Sequence, residues 1–245
     1  VYAYVATAIR RIVLDSVSGF NAAFGNMYAE KNYDVMRENL NLYELILFSI
    51  TTIIYSVAAV MITPFVMLYT SGVTDVNYER TVFGILLIFS NIFNCFRVPY
   101  NSVAQAAGHF KDTKKFAYIE TLLNIVVSII FVVKFGIIGV TIGTLVAAIY
   151  RATIFAFYLS KKIIPRSNMH YIKHVTVSIF LMFLVLVIGN RLITNVSSVT
   201  VWVYKAIIMT IISSISVLLS DILFWKNDCM IFTKKLLSAL KLRKS

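Results

Sequence analysis

Long apolar runs interrupted by short polar connections dominate the chain. A helix needs about 20 mostly apolar residues to cross a hydrocarbon layer roughly 30 Å thick. Seven stretches have that length or more: about 1–27, 43–70, 81–107, 116–134, 137–159, 171–189 and 200–225. Six are nearly free of charge. The first carries Arg10, Arg11 and Asp15, each costing about 2.5–3.5 kcal/mol at the centre of an inserted helix. It is expected to cross only against other helices or a watery cavity. The pattern predicts an all-α, polytopic transmembrane bundle of about seven spans, followed by a basic amphipathic tail over 226–245.

The basic residues set a direction for the spans. If residues 28–42 are cytoplasmic and the loops alternate from there, fifteen Lys and Arg fall on the cytoplasmic side. Only Arg80, Lys134 and Arg191 fall opposite. This is the positive-inside asymmetry, and it puts Val1 outside and the C-terminus inside. In the tail, Phe232, Leu236, Leu237 and Leu240 share one face, with Lys234, Lys235, Lys241, Arg243 and Lys244 mostly around it. Such a helix is expected to rest on the cytoplasmic leaflet, with membrane lipids as its partner.

Composition agrees with the pattern. Of 245 residues, 59% are hydrophobic and 14% charged, with a mean hydropathy of +0.82, too apolar for a water-soluble domain of this size. The net charge of +12 would suggest nucleic acid in a soluble protein. Here it lies in loops facing anionic lipid, and no nucleic-acid partner is expected. Cys95 and Cys229 have no metal or disulfide spacing. The chain opens on Val1 without Met or a charged leader, so it is expected to begin inside a longer protein.

Polar residues at membrane depth are the informative ones, because they usually face a bundle interior or a cavity. Arg11 and Asp15 are four apart and can pair on one helical face; alternatively Arg10 and Arg11 give a cationic lining. Asn94, Arg97, Asn101 and Gln105 follow at intervals of three and four, forming one polar stripe that Ser90 and Asn91 extend. The stripe either bonds other helices or lines a watery route. The route is favoured, because Arg97 has no acidic neighbour on its own helix. Glu120 and Asn124 repeat at four, with Ser128 following. Glu120 is an interfacial carboxylate, a partner for Arg97, or a proton or Na⁺ ligand. With Asp15, these two are the coupling-ion candidates. Arg151 is expected to snorkel to the cytoplasmic surface.

Gly139 and Gly143, continued by Ala147, predict a close-packed helix contact. Pro64 and Pro99 lie inside spans and can kink or unwind them. His170 and His174 are four apart but lack a third ligand; no metal or cofactor is expected. There is no GxxxxGK[ST], HExxH or GxSxG, nor a loop large enough for an active site, so transport outranks catalysis and no enzyme is expected.

Residues 106–147, AAGHFKDTKKFAYIETLLNIVVSIIFVVKFGIIGVTIGTLVA, resemble the C-terminal region of bacterial polysaccharide flippases of the multidrug/oligosaccharidyl-lipid/polysaccharide exporter superfamily. The likeness rests on Gly108, Phe110, Thr113, Lys114, Asn124, Phe135, Gly136, Gly139, Gly143 and Thr144. Residues 22–40, AAFGNMYAEKNYDVMRENL, are similar to the helix and loop that begin the second half of such proteins. The resemblance implies the C-terminal half of a twelve-to-fourteen-helix transporter in the bacterial plasma membrane, whose N-terminal half would be its partner. It implies flipping of an undecaprenyl-diphosphate-linked oligosaccharide for O-antigen, capsule or related polymer. Arg10, Arg11 and Arg97 would then bind the diphosphate, and Asn94, Asn101 and Gln105 the sugar hydroxyls. A cation-coupled multidrug exporter of the same superfamily is the alternative, though it would favour acidic cavity residues. A membrane-embedded glycosyltransferase or polymerase is the third reading, but its long external loops are missing. Asp75 and Glu79 are the only acids in the outer loops.

Overall fold

The computed structural model describes residues 1–73, 75–193 and 196–242, and the side chains of these apart from 21, 22 and 239–242. The described residues form helices joined by turns, with no strand among them. In order these are α1 (Tyr2–Asp15), α2 (Phe20–Ala29), α3 (Tyr33–Tyr69), α4 (Thr81–Phe96), α5 (Val98–Ala106), α6 (Phe110–Phe135), α7 (Ile137–Lys162), α8 (Met169–Leu192), α9 (Val199–Phe224) and α10 (Lys226–Leu242). With α4 and α5 counted as one segment, six helices are long and apolar enough to cross a membrane. The chain is a multi-pass helical membrane protein.

The first stretch departs from the single helix expected over 1–27. It breaks at residues 16–19, where the backbone switches to three-residue bonds: Val17 N–H to Leu14 C=O, Ser18 to Asp15 and Phe20 to Val17. The Ser16 and Ser18 hydroxyls also donate to the Ile12 and Asp15 carbonyls, offering the backbone an alternative to the regular ladder. Neither half is long enough to cross alone. Together they traverse the bundle. The Tyr2 hydroxyl donates to Tyr78 C=O and accepts from Arg80 N–H, both at 3.1 Å, at one end. At the other end Tyr28 lies beside Lys162, Ile163 and Pro165.

The long helix α3 is the mast of the bundle, packed by α1, α2, α4, α8 and α9. Asn32 caps its start by accepting from Val35 N–H, and it runs unbroken through Pro64. At about 1.5 Å per residue its 37 residues exceed the roughly 30 Å hydrocarbon layer. Its first turns project at the basic end, where Lys235 of α10 meets Glu38 at 2.7 Å. Pro99 behaves differently from Pro64: the helix divides at Arg97, two residues ahead of it, into α4 and α5. The tail is helical as expected as far as Leu242; Arg243 and Lys244 lie outside the described residues.

Aromatic stacking fills the centre, with Phe48 on Phe96 at 4.0 Å and Phe20 on Tyr43 at 4.5 Å. The outer faces are apolar, as lipid demands. On α6 alone Leu122, Ile125, Val126, Ile129, Ile130 and Val133 are exposed. That helix is held mainly by α7. Gly136 makes the turn between them at φ +56°, ψ −132°, a conformation costly for any residue with a Cβ. The predicted glycine contact follows. A Cβ at Gly139 would lie 2.3 Å from the Phe131 carbonyl carbon, and one at Gly143 2.8 Å from Ser128 N.

Candidate functional site

The stripe on α4 and α5 sorts the helix into two faces. Ile92, Phe93, Cys95, Phe96, Tyr100 and Val103 are buried against the bundle. Asn91, Asn94, Arg97 and Asn101 are half-buried and Gln105 is exposed. The Asn91 and Asn94 amides donate to the Leu87 and Ser90 carbonyls of their own helix, so their acceptor oxygens stay available. The stripe is therefore a partly open flank, tied to α6 at Arg97.

Arg97 lies in the middle of that flank, at the Pro99 division. Its guanidinium is 3.5 Å from Glu120 on α6. The same carboxylate takes a 2.5 Å bond from Arg151 on α7. Arg97 is nine residues from the end of α5, Glu120 ten from the start of α6, and Arg151 eleven from the end of α7. At about 1.5 Å per residue all three sit roughly 14–17 Å from the basic end, near the middle of a 30 Å layer. An Arg–Glu–Arg chain thus ties three helices together at mid-depth.

The charges in this group do not cancel. Arg10 on α1 is close enough for its field to reach Arg97, Cys95 and Tyr55. It makes no ion pair among the described residues. Two guanidinium groups thus share the Glu120 carboxylate, and the Arg10 charge adds to them near Arg97. Arg97 and Glu120 each keep 26% of their side-chain surface open and Arg151 keeps 13%. Arg151 also lies over the Phe155 ring at 4.9 Å. Its expected snorkelling does not occur, because Glu120 holds it inward.

The other expected residues separate. The buried face of α1 is Tyr2, Ala6 and Val13. Arg10 lies at the edge of that face, but Arg11 and Asp15 lie on the opposite, exposed one. Neither makes an ion pair among the described residues, so the pairing expected at four residues does not form. Nor does the Arg10–Arg11 pair act as a unit, since consecutive helical residues point about 100° apart. The three coupling-ion candidates also do not converge. Asp15 faces outward, Glu120 is held by two arginines, and Asn124 Oδ1 accepts at 3.0 Å from the Ser128 hydroxyl of its own helix, which also reaches Val140 C=O of α7 at 3.3 Å.

A second polar cluster lies at the basic end. Glu44 on α3 is fully buried. Arg166, in the α7–α8 connection, grips both carboxylate oxygens: Nη1 reaches Oε2 at 2.7 Å and Nη2 binds Oε1. Arg166 Nη1 also donates to Asn41 Oδ1 at 3.0 Å. Burial opposes its charge, but Glu44 more than offsets this and raises its pKa above that of a free arginine. His170 Nε2 is 3.3 Å from Glu44 Oε2, and His174 is buried one turn further on. Nearby, Ser49 donates to Asp221 of α9 at 2.6 Å. Glu44 and Asp221 carry a signal that was present in the sequence: each is a lone acid inside an apolar run, with basic residues in the facing loops.

Comparisons of the chain with models of known families, with curated proteins and with solved structures found no match.

Proposed function

We propose that the chain is part of a flippase that moves an undecaprenyl-diphosphate-linked oligosaccharide across the bacterial plasma membrane for polysaccharide biosynthesis. The observation that carries this reading is the mid-depth pair Arg97 and Arg151 on the single carboxylate of Glu120, with the charge of Arg10 near Arg97, on a partly open helix flank. An uncompensated positive charge at that depth is expensive. It is offset when an anion arrives. A diphosphate offers several charged oxygens, and guanidinium groups match such acceptors two at a time.

The arrangement also supplies the other parts of such a ligand with suitable surroundings. Asn94, Asn101 and Gln105 continue from Arg97 and carry donors and acceptors suited to sugar hydroxyls. The surrounding exposed faces are apolar and would leave the lipid tail in the bilayer. A multidrug exporter that takes up cations would want a free carboxylate here; Glu120 is held by two arginines instead. The N-terminal half implied by the resemblance would close the open flank, and alternating access would carry the head group across.

The test is polymer export in a strain that depends on this chain. Arg97→Ala is expected to abolish export while the protein still accumulates in the membrane, and Arg97→Lys to retain part of it. Normal export by the Ala variant would overturn the proposal.

A further inference from the structure

We infer that Glu44, His170 and His174 form a site for a divalent transition-metal ion, with zinc the best fit, and that the metal competes with Arg166 for the Glu44 carboxylate.

The geometry starts from α8. His170 and His174 are one turn apart on the same face, with ring centroids 5.0 Å apart. Glu44 comes to them from α3. One ligand atom from each of the three lies within 4.8 Å of the others. The His170 Nε2 to Glu44 Oε2 distance is 3.3 Å. That is about the edge length of a tetrahedron whose metal–ligand bonds are roughly 2.0–2.1 Å. Two imidazoles and one carboxylate, with a fourth position left for water, form a donor set that suits zinc.

A second observation points to a ligand. His174 is 2% exposed, and its Nε2 has no hydrogen-bond partner. Buried polar atoms are rarely left so. The ring cannot easily turn elsewhere, because it is stacked on Trp225 at 4.0 Å and packed by Phe48 at 5.1 Å. His170 Nε2 is likewise buried without a hydrogen bond of good geometry. Two imidazoles with unpartnered, buried nitrogens thus lie beside one carboxylate.

Arg166 explains why the site is also a competition. A guanidinium on both Glu44 oxygens and a dication on one of them would repel each other at close range. Arg166 belongs to the connection between α7 and α8, not to a helix, and Asn41 already accepts from it. It can therefore swing off Glu44 without losing every partner. Asp228 of α10 and Lys173 also act on His170, so the site senses the last helix as well. Metal at Glu44 would loosen the α7–α8 connection on α3, leaving it held by Asn41 and by the Arg37 bond to Pro165 C=O.

The experiment uses the full chain purified in detergent, stripped with a chelator and titrated with Co²⁺, whose tetrahedral complexes absorb visibly. The wild type is expected to bind one equivalent saturably. Arg166→Gln is expected to bind about ten-fold tighter, the size of effect typical of groups next to metal ligands, and to gain thermal stability when Zn²⁺ is added. His174→Gln in either background is expected to abolish the absorbance. Should Arg166→Gln fail to fold, Arg166→Lys, which gives up the two-point grip, serves in its place with the same expected tightening. No saturable absorbance in the wild type and the Arg166 variant, or absorbance that survives His174→Gln, overturns the site. Equal affinity of the wild type and the Arg166 variant overturns the competition.

Discussion

Replacing Gly139 with Ala tests how the α6–α7 pair holds the mid-depth site. The added Cβ would meet the Phe131 carbonyl carbon at 2.3 Å, its oxygen at 2.4 Å and Val132 N at 2.5 Å. All three are backbone atoms and cannot rotate away. Ordinary carbon contacts lie at about 3.5–4.0 Å, so the helices must part by more than about 1 Å. Overpacking of this kind costs about 1–3 kcal/mol, and the absence of any yielding side chain puts Gly139→Ala near the top of that range. For a chain of this size, about 3 kcal/mol corresponds to a fall in apparent Tm of roughly 6–12 °C. Gly143→Ala differs in kind. Its Cβ would meet the Ser128 hydroxyl at 2.2 Å as well as backbone at 2.8 and 2.9 Å. The hydroxyl is removable, so Ser128→Ala is expected to recover part of the loss in Gly143→Ala and none in Gly139→Ala. Gly25→Ala is the control: nothing lies within 4 Å of its added Cβ, and a small gain of up to about 1 kcal/mol is expected. Thermal unfolding of the detergent-purified variants reads all of these. An unchanged Tm for Gly139→Ala, or equal rescue of both variants by Ser128→Ala, would mean that α6 and α7 do not meet backbone to backbone at Gly139.

Other outcomes follow from the two charged clusters. Glu44→Gln leaves Arg166 buried without its anion and is expected to destabilise by about 3–5 kcal/mol; a denaturation midpoint matching wild type would contradict the assigned pairing. Glu120→Gln leaves Arg97 and Arg151 facing each other, with an expected loss of similar size, and adding Arg151→Gln should return part of it; a double-mutant cycle measures the coupling, and simple additivity would count against the chain of three. Lys235→Ala breaks a pair in which both side chains are about half exposed. Its effect on stability is expected to stay within about 1 kcal/mol, and a larger drop would mean that α10 is bound more firmly than this contact implies.

The spans were legible because membrane helices announce themselves by length and apolarity, and α3 to α9 fall where the apolar runs lie. The polar stripe was legible for the same reason: 94, 97, 101 and 105 keep helical spacing, and the structure places them on one side, half-buried to exposed, with Arg97 paired to α6. What stayed hidden involves relations between segments. Arg151 has its partner 31 positions away on α6, so on its own helix it reads as a snorkelling cation. Glu44 meets an arginine 122 positions away, and His170 and His174 acquire a third neighbour only through α3. The break at 16–19 is local, but it depends on two serine hydroxyls taking backbone carbonyls, a competition that hydropathy does not register. Arg11 and Asp15 have the spacing of a pair, yet spacing states only that two side chains can meet.

The short turn at Gly136 bears on how the protein is made. Entering the bilayer singly, α6 would bring in Glu120 alone and α7 would bring in Arg151 alone, each against a penalty of about 2.5–3.5 kcal/mol. The turn and the glycine contact let the two helices leave the insertion machinery folded against each other, with opposite charges already joined. Synthesis order then matters as much as final packing: a longer linker at 136 would leave every contact of the finished bundle possible and still lower the yield of inserted protein.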